Sequence, residues 1–253
     1  MKKTDFGSLG SKVAKFVLAG GLMILVCISA CKKDNKNNNS TNTSTKVTEA
    51  DAAQLTTDAI VPSTGGFGAQ IKILLGIYVK ETKRLQCGAK KDTTISYSSP
   101  ANFIPNYSYN LSWNYQLDCN AGIPSQFEFG FSGSSSFTDA LMSSTDSNSG
   151  SCTIADSSLT SADFMVSGNY ETKGKQTSNV GLQKSFTSDL KISTTNIMIS
   201  KTAQDIVSGT AVISIIGTSS YGNFGFSGKI TFLGNKRAKL VLNSGMVYNI
   251  SWS

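Results

Sequence analysis

The chain reads as mainly β: a large antiparallel sheet, either a β-sandwich or a strongly curved half-barrel-like sheet, preceded by two helices. Three observations predict this. After Thr93, apolar residues recur at every second position in run after run, the period of a strand with one buried face. Clusters of Gly, Asn and Ser separate the runs, as turns require. Residues 47–86 instead carry apolar side chains at helical spacing.

The first helix is predicted over residues 47–60, "VTEADAAQLTTDAI". Thr48 followed by Asp51 imitates a capping box, and the early acids suit a helix N-terminus. "PSTGG" (62–66) breaks it. In "FGAQIKILLGIYVKETKRLQ" (67–86), Phe67, Ile71, Leu74, Leu75, Tyr78 and Leu85 form an amphipathic stripe, broken at Thr82, with Lys83 and Arg84 in the last turn. Such a stripe marks a face that packs on a core.

The strands follow. "YSYNLSWNYQLDC" (107–119) places Tyr107, Tyr109, Leu111, Trp113, Tyr115, Leu117 and Cys119 on one parity. Phe127, Phe129 and Phe131 alternate next, then Phe164, Val166, Gly168 and Tyr170. Leu190 and Ile192 share one parity and Ile197 and Ile199 the other, so a bulge is expected near Thr195 and Asn196. "GTAVISIIG" (209–217) is an apolar run suited to a central strand. "FGFSGKITFL", "KRAKLVL" and "MVYNISW" make a C-terminal meander turning at Gly234-Asn235 and at "NSG" (243–245). Residues 134–163 are Ser-rich and poorly patterned, and read as loop plus one weak strand. The total is eight to ten strands, antiparallel because most have one wet face.

Three uses compete for the aromatic parity. A packed core is the default, because the pattern recurs in most strands and each buried aromatic removes about 150–250 Å² from water. A lipid-facing barrel wall alternates in the same way. A ligand platform of Tyr109, Trp113 and Tyr115, stacking on sugar or another flat ligand, requires that the rings lie in an open cleft.

Histidine is absent, which removes Ser-His-Asp and Cys-His nucleophiles and histidine zinc sites. Glycoside hydrolysis needs two carboxyls about 5–10 Å apart, and Asp118 and Glu128 are candidates on a polar strand surface, where ordinary solvated polarity also explains them. "DSNSG" (146–150) starts like a calcium loop, but its twelfth position is Ser157, so that pattern fails. No catalytic residue, metal ligand or cofactor is assigned. Lys236, Arg237 and Lys239 read as edge protection at a hairpin. Eight carboxylates and no Lys or Arg occupy residues 92–171, whereas 172–253 hold nine basic residues against Asp189 and Asp205. The two halves are expected to neutralise each other. Basic residues do not interleave with aromatics on one face, so nucleic acid is not an expected partner.

The N-terminus reads as an address. Lys2, Lys3, Lys12 and Lys15 precede an uncharged apolar segment at 16–28, too short for a span of about 20 residues. It ends Ile28-Ser29-Ala30-Cys31, which resembles the lipobox of bacterial lipoproteins, with cleavage between Ala30 and Cys31 and lipid attached to Cys31. Cys27 does not compete, since bulky Val26 precedes it. "KKDNKNNNSTNTST" (32–45) has no apolar residue and reads as a flexible tether. The start "CKKDN" and this tether resemble lipoproteins of Bacteroidota-type bacteria. The resemblance covers about 45 residues. It implies a cell-envelope location, with Lys32 leaning toward the outer membrane and surface exposure an option. The expected organisation is therefore signal peptide 1–30, lipidated tether 31–46 and one β-rich domain 47–253. Cleavage leaves 19 basic and 15 acidic residues, +4 rather than +7.

Export favours disulfide pairing. Of three possible single pairs, Cys87 with Cys119 is expected, because Cys87 follows the second helix and Cys119 ends the alternating strand. Cys152 is left over. The leading functional expectation is a non-enzymatic binding or structural lipoprotein, joined to a membrane by its lipid and taking a glycan or envelope polymer as candidate ligand. The alternatives are a carboxylate hydrolase of envelope glycan and a carrier of an apolar ligand in a concave sheet.

Overall fold

A computed structural model describes residues 46–81, 86–155, 162–180 and 184–252. The expected signal peptide, the Ala30-Cys31 site, almost all of the tether, and Lys83, Arg84 and Leu85 of the predicted helix lie outside these residues. Two helices, α1 (Glu49–Ile60) and α2 (Phe67–Glu81), flank a 3₁₀ turn at Pro62–Thr64. Ten strands follow: β1 (Lys90–Ser98), β2 (Asn106–Asn120), β3 (Ile123–Thr138), β4 (Met142–Ala155), β5 (Asp163–Ser178), β6 (Ser185–Ser200), β7 (Ile206–Ser219), β8 (Gly222–Gly234), β9 (Arg237–Leu242) and β10 (Val247–Ser251). They pair in sequence order, each antiparallel to the next, as one open sheet. Two facing sheets of a sandwich are not formed.

The sheet curls around the helices. Ten strands at about 4.8 Å span roughly 45 Å, while two helices of about 10 Å diameter cover less than half of that. Yet inward residues from Leu111 on β2 to Ile250 on β10 are buried in one core with both helices. Only a concave sheet brings them together. Register shifts at Asp118/Cys119, Val166/Gly168, Thr195/Met198 and Phe232/Gly234 supply local twist. The expected bulge is thus at Thr195–Met198, with Asn196 at φ 53°.

Helix α1 sits inside the curl. Thr48 accepts a hydrogen bond from Asp51 N and donates its own backbone N–H to Asp51 Oδ2 at 2.7 Å, the predicted capping box. Residues Ala52, Ala53 and Leu55 through Ile60 are all buried. Thr56 and Thr57 satisfy their buried hydroxyls by donating to Ala52 O and Ala53 O, 2.8 Å each. Helix α2 packs Phe67 against Tyr170, and Tyr78 edge-on to Phe127 and Phe164. Its Glu81, buried at the C-terminal end, pairs with Lys91 of β1 at 2.6 Å.

Two expectations are corrected in detail. Residues 134–155 are not loop with one weak strand; they finish β3 and build β4, fourth of ten. Their inward side chains include Ser144, Asp146 and Asn148, all buried, so the hydrophobic alternation that marks a strand is missing. The β8–β9 turn centres on Asn235 and Lys236, both at positive φ, one residue beyond the predicted Gly234-Asn235 pair. Two left-handed central residues match the twist of a hairpin. The apolar run at 209–217 is an interior strand, β7, as expected, paired with β6 and β8; its Val212 and Ile216 point outward and are exposed.

Cys87 and Cys119 form the expected disulfide, while Cys152 is free and buried. The bridge spans 32 residues, for which chain entropy predicts about 3–4 kcal/mol. The Cys87→Ser/Cys119→Ser double variant should lose that much stability in urea unfolding. Burial pushes the Cys152 thiol up to about 12, so maleimide should label it only after denaturation.

Candidate functional site

The aromatic parity of β2 divides along its length. Leu111, Trp113, Tyr115 and Leu117 are buried. Trp113 stacks on Phe131 at 4.6 Å between centroids, and Tyr115 stacks on Phe127 at 5.7 Å. Trp113 is 1% and Tyr115 7% exposed, so neither offers a ring face to a ligand; they are core. Tyr109 differs. With Tyr97 and Tyr107 it forms a half-buried stack, centroids 5.1–6.4 Å apart. This stack seats the turn between the helices. Gly65 has φ 76°, and a Cβ there would lie 3.2 Å from the Tyr107 ring, so a bare backbone meets the tyrosines. Burial raises the Tyr107 phenol pKa strongly and that of Tyr109 to about 12.

A second cluster was invisible in the sequence because its members come from five elements. Asp146 of β4 accepts from Ser144 and from Gln176 of β5 (2.8 Å). Ser188 of β6 donates to Gln176 Oε1 (2.8 Å), Tyr170 donates to Asn148 Oδ1 (3.0 Å), and Asn148 donates to Ser135 of β3 (2.7 Å). Gly174 makes room: a Cβ there would fall 2.3 Å from Asp146 Oδ1. Asp58 of α1 descends onto this polar seam, its Oδ1 accepting from Gln54 at 2.9 Å. Asp58 Oδ2 meets no donor but faces the Asp139 side chain. Asp139 Oδ1 accepts from Leu141 N and Met142 N at 2.7 and 2.6 Å. Burial, then Asp139, raise the Asp58 pKa well above the usual carboxyl range, and burial lifts Asp146 to about 6.

Two carboxyls with raised pKa invite a catalytic reading, and size decides against it. The cavity between Asp58, Asp146 and Tyr170 is about 20 Å³, room for one water. Ligand pockets run to about 300–1,000 Å³. The sequence candidates fare no better: Asp118 and Glu128 lie on the outer face, Asp118 accepting from Gln116 at 2.6 Å and Glu128 from Gln126 at 2.8 Å. Asp146 and the rest of "DSNSG" lie within β4, and among the described residues no group of three or more acids, cysteines or histidines is placed to hold a metal.

Among the described residues the sheet carries a concavity of about 390 Å³ beside Asp92, Thr94, Ser112 and Asn114, and another of about 690 Å³, widely open, lined by Lys173, Thr187, Asp189, Ile216, Thr218 and Asn223. At its margin Lys173 bridges Glu171 (2.7 Å) and Asp189 (2.9 Å), and Lys191 reaches Glu171 at 3.5 Å. The hydrogen bond from Lys173 holds the Glu171 carboxyl below its usual range. The arrangement presents hydroxyl, amide and paired charge beside an exposed isoleucine. Comparisons with protein-family models, curated proteins and solved structures return no match.

The buried acids predict a specific pH response. A carboxyl whose pKa is raised on folding keeps its proton while the unfolded chain releases it, so stability falls as pH rises. The loss begins near 3.8, the ordinary aspartate value, and Asp146 completes its part by about pH 6. Asp58 continues the decline above that. An Asp58→Asn variant retains a donor toward Asp139 and should flatten the upper part of the curve, measured as urea midpoint against pH.

Proposed function

We propose that this protein is a lipid-anchored component of the cell envelope that binds or scaffolds rather than catalyses, held to the outer membrane through acyl chains on Cys31. The observation that carries this reading is Ile28-Ser29-Ala30-Cys31 after an apolar segment and before a run without apolar residues. Two or three acyl chains anchor stably where one does not. A disulfide between Cys87 and Cys119 accords with an exported chain.

The interior supports binding at the surface over the alternatives. An apolar-ligand carrier needs an open concave face, and here the helices fill it. A glycan hydrolase needs a cleft for a sugar ring between its acids, against about 20 Å³ beside Asp58 and Asp146. The outer groove along β5–β8 is the better place for an envelope glycan or polymer.

Metabolic labelling with a palmitate analogue should mark the wild type and not Cys31→Ala, which should also leave the membrane fraction; labelling of Cys31→Ala would overturn the anchor. On a glycan array, Thr218→Arg, which fills the groove, should abolish any binding that the wild type shows. Binding unchanged by that substitution would remove the groove from the reading.

A further inference from the structure

Eight strands end flush at one end of the sheet. The register runs Ser98↔Ser108, Asn106↔Thr138, Thr138↔Ser143, Met142↔Ser178, Thr177↔Ser185, Phe186↔Ser219 and Ser219↔Gly222. The β1–β2, β3–β4, β5–β6 and β7–β8 connections therefore line one rim, about 34 Å long at 4.8 Å per strand. Three of the four bear exposed large apolar side chains: Phe103 (46%) and Ile104 (76%), Val180 (50%), and Tyr221 (57%). Just inside the rim lies the half-open Tyr97–Tyr107–Tyr109 stack. Charge here is engaged: Asp139 caps backbone, and Lys184 pairs with Asp51 at 2.9 Å. Among the described residues, the opposite end exposes Ile123 and Leu233 and carries Lys90, Lys201, Asp205, Lys236 and Arg237.

That Lys184–Asp51 pair also fixes where the chain enters. Asp51 stands in the first turn of α1, so the segment running back to Cys31 reaches the domain at the apolar rim and not at the charged end. Fourteen residues lie between Cys31 and Lys46, and a tether of that length reaches about 20 Å. An anchor at Cys31 thus holds this rim next to the bilayer. Apolar and tyrosine side chains suit the headgroup boundary.

We propose that the rim carrying Phe103, Ile104, Val180 and Tyr221 lies against the phospholipid surface and sets the orientation of the domain, with the outer groove turned sideways and the charged end outward. This rests on the lipid-anchor reading. Both native tryptophans, Trp113 and Trp252, are buried, so an introduced indole can report depth. Phe103→Trp, Tyr221→Trp and, as control, Ile123→Trp replace exposed residues and should not disturb folding. Each mature chain, purified with its acyl groups, is reconstituted in phosphatidylethanolamine/phosphatidylglycerol vesicles containing brominated acyl chains. The two rim variants should be quenched severalfold more than Ile123→Trp. Equal quenching in all three, or none in any, overturns the orientation while leaving the anchor intact. Mass analysis of the N-terminal peptide reads the anchor separately, and an unacylated Cys31 overturns both.

Discussion

A helix buried on nearly every side governs this structure. Helix α1 is twelve residues long, and its composition is not that of a core helix: two threonines and an aspartate are buried with its alanines and leucine. Burying such groups is favourable only if each finds a partner. The threonines turn back onto their own helix. Asp58 does so through one oxygen only, accepting from Gln54. The sheet around it is polar: the seam of Ser144, Asp146, Asn148, Gln176 and Ser188 is buried and hydrogen-bonded within itself. Curvature follows from the same constraint, because a flat sheet would leave one side of α1 wet and its own outer strands uncovered.

A filled interior moves function to the outside. Enclosed sheets earn ligand sites when their concave face stays open; here packing leaves a space the size of one water. The surface that remains is asymmetric. The convex face offers a shallow groove beside a cluster of paired charges, one end of the sheet carries several charged residues, and the other carries exposed apolar side chains and adjoins the start of α1.

The buried acids gain their proton affinity from the same packing that shapes the core. Asp58 and Asp146 resemble catalytic carboxyls in their shifted pKa, and they show why such shifts are insufficient evidence of chemistry. Desolvation beneath a helix raises a pKa as effectively as desolvation in an active site. Access separates the two, and access is a property of the whole fold.

Local signals in the chain determined most of the architecture: the capping box at Thr48, the helical stripe from Phe67, the two-residue period of β2, β3 and β8, and the parity switch behind the Thr195 bulge. Each depends on residues close in sequence or on one face of one strand. The tertiary structure alone decided the rest. Strand β4 was illegible because its inward positions are hydrogen-bonded rather than apolar, so hydrophobic alternation could not reveal it. Trp113 and Tyr109 share a parity, yet one is core and the other half-open, since coverage by α1, α2 and their turn varies along β2. The polar seam and the apolar rim each gather residues from distant strands, and only pairing in three dimensions brings them side by side.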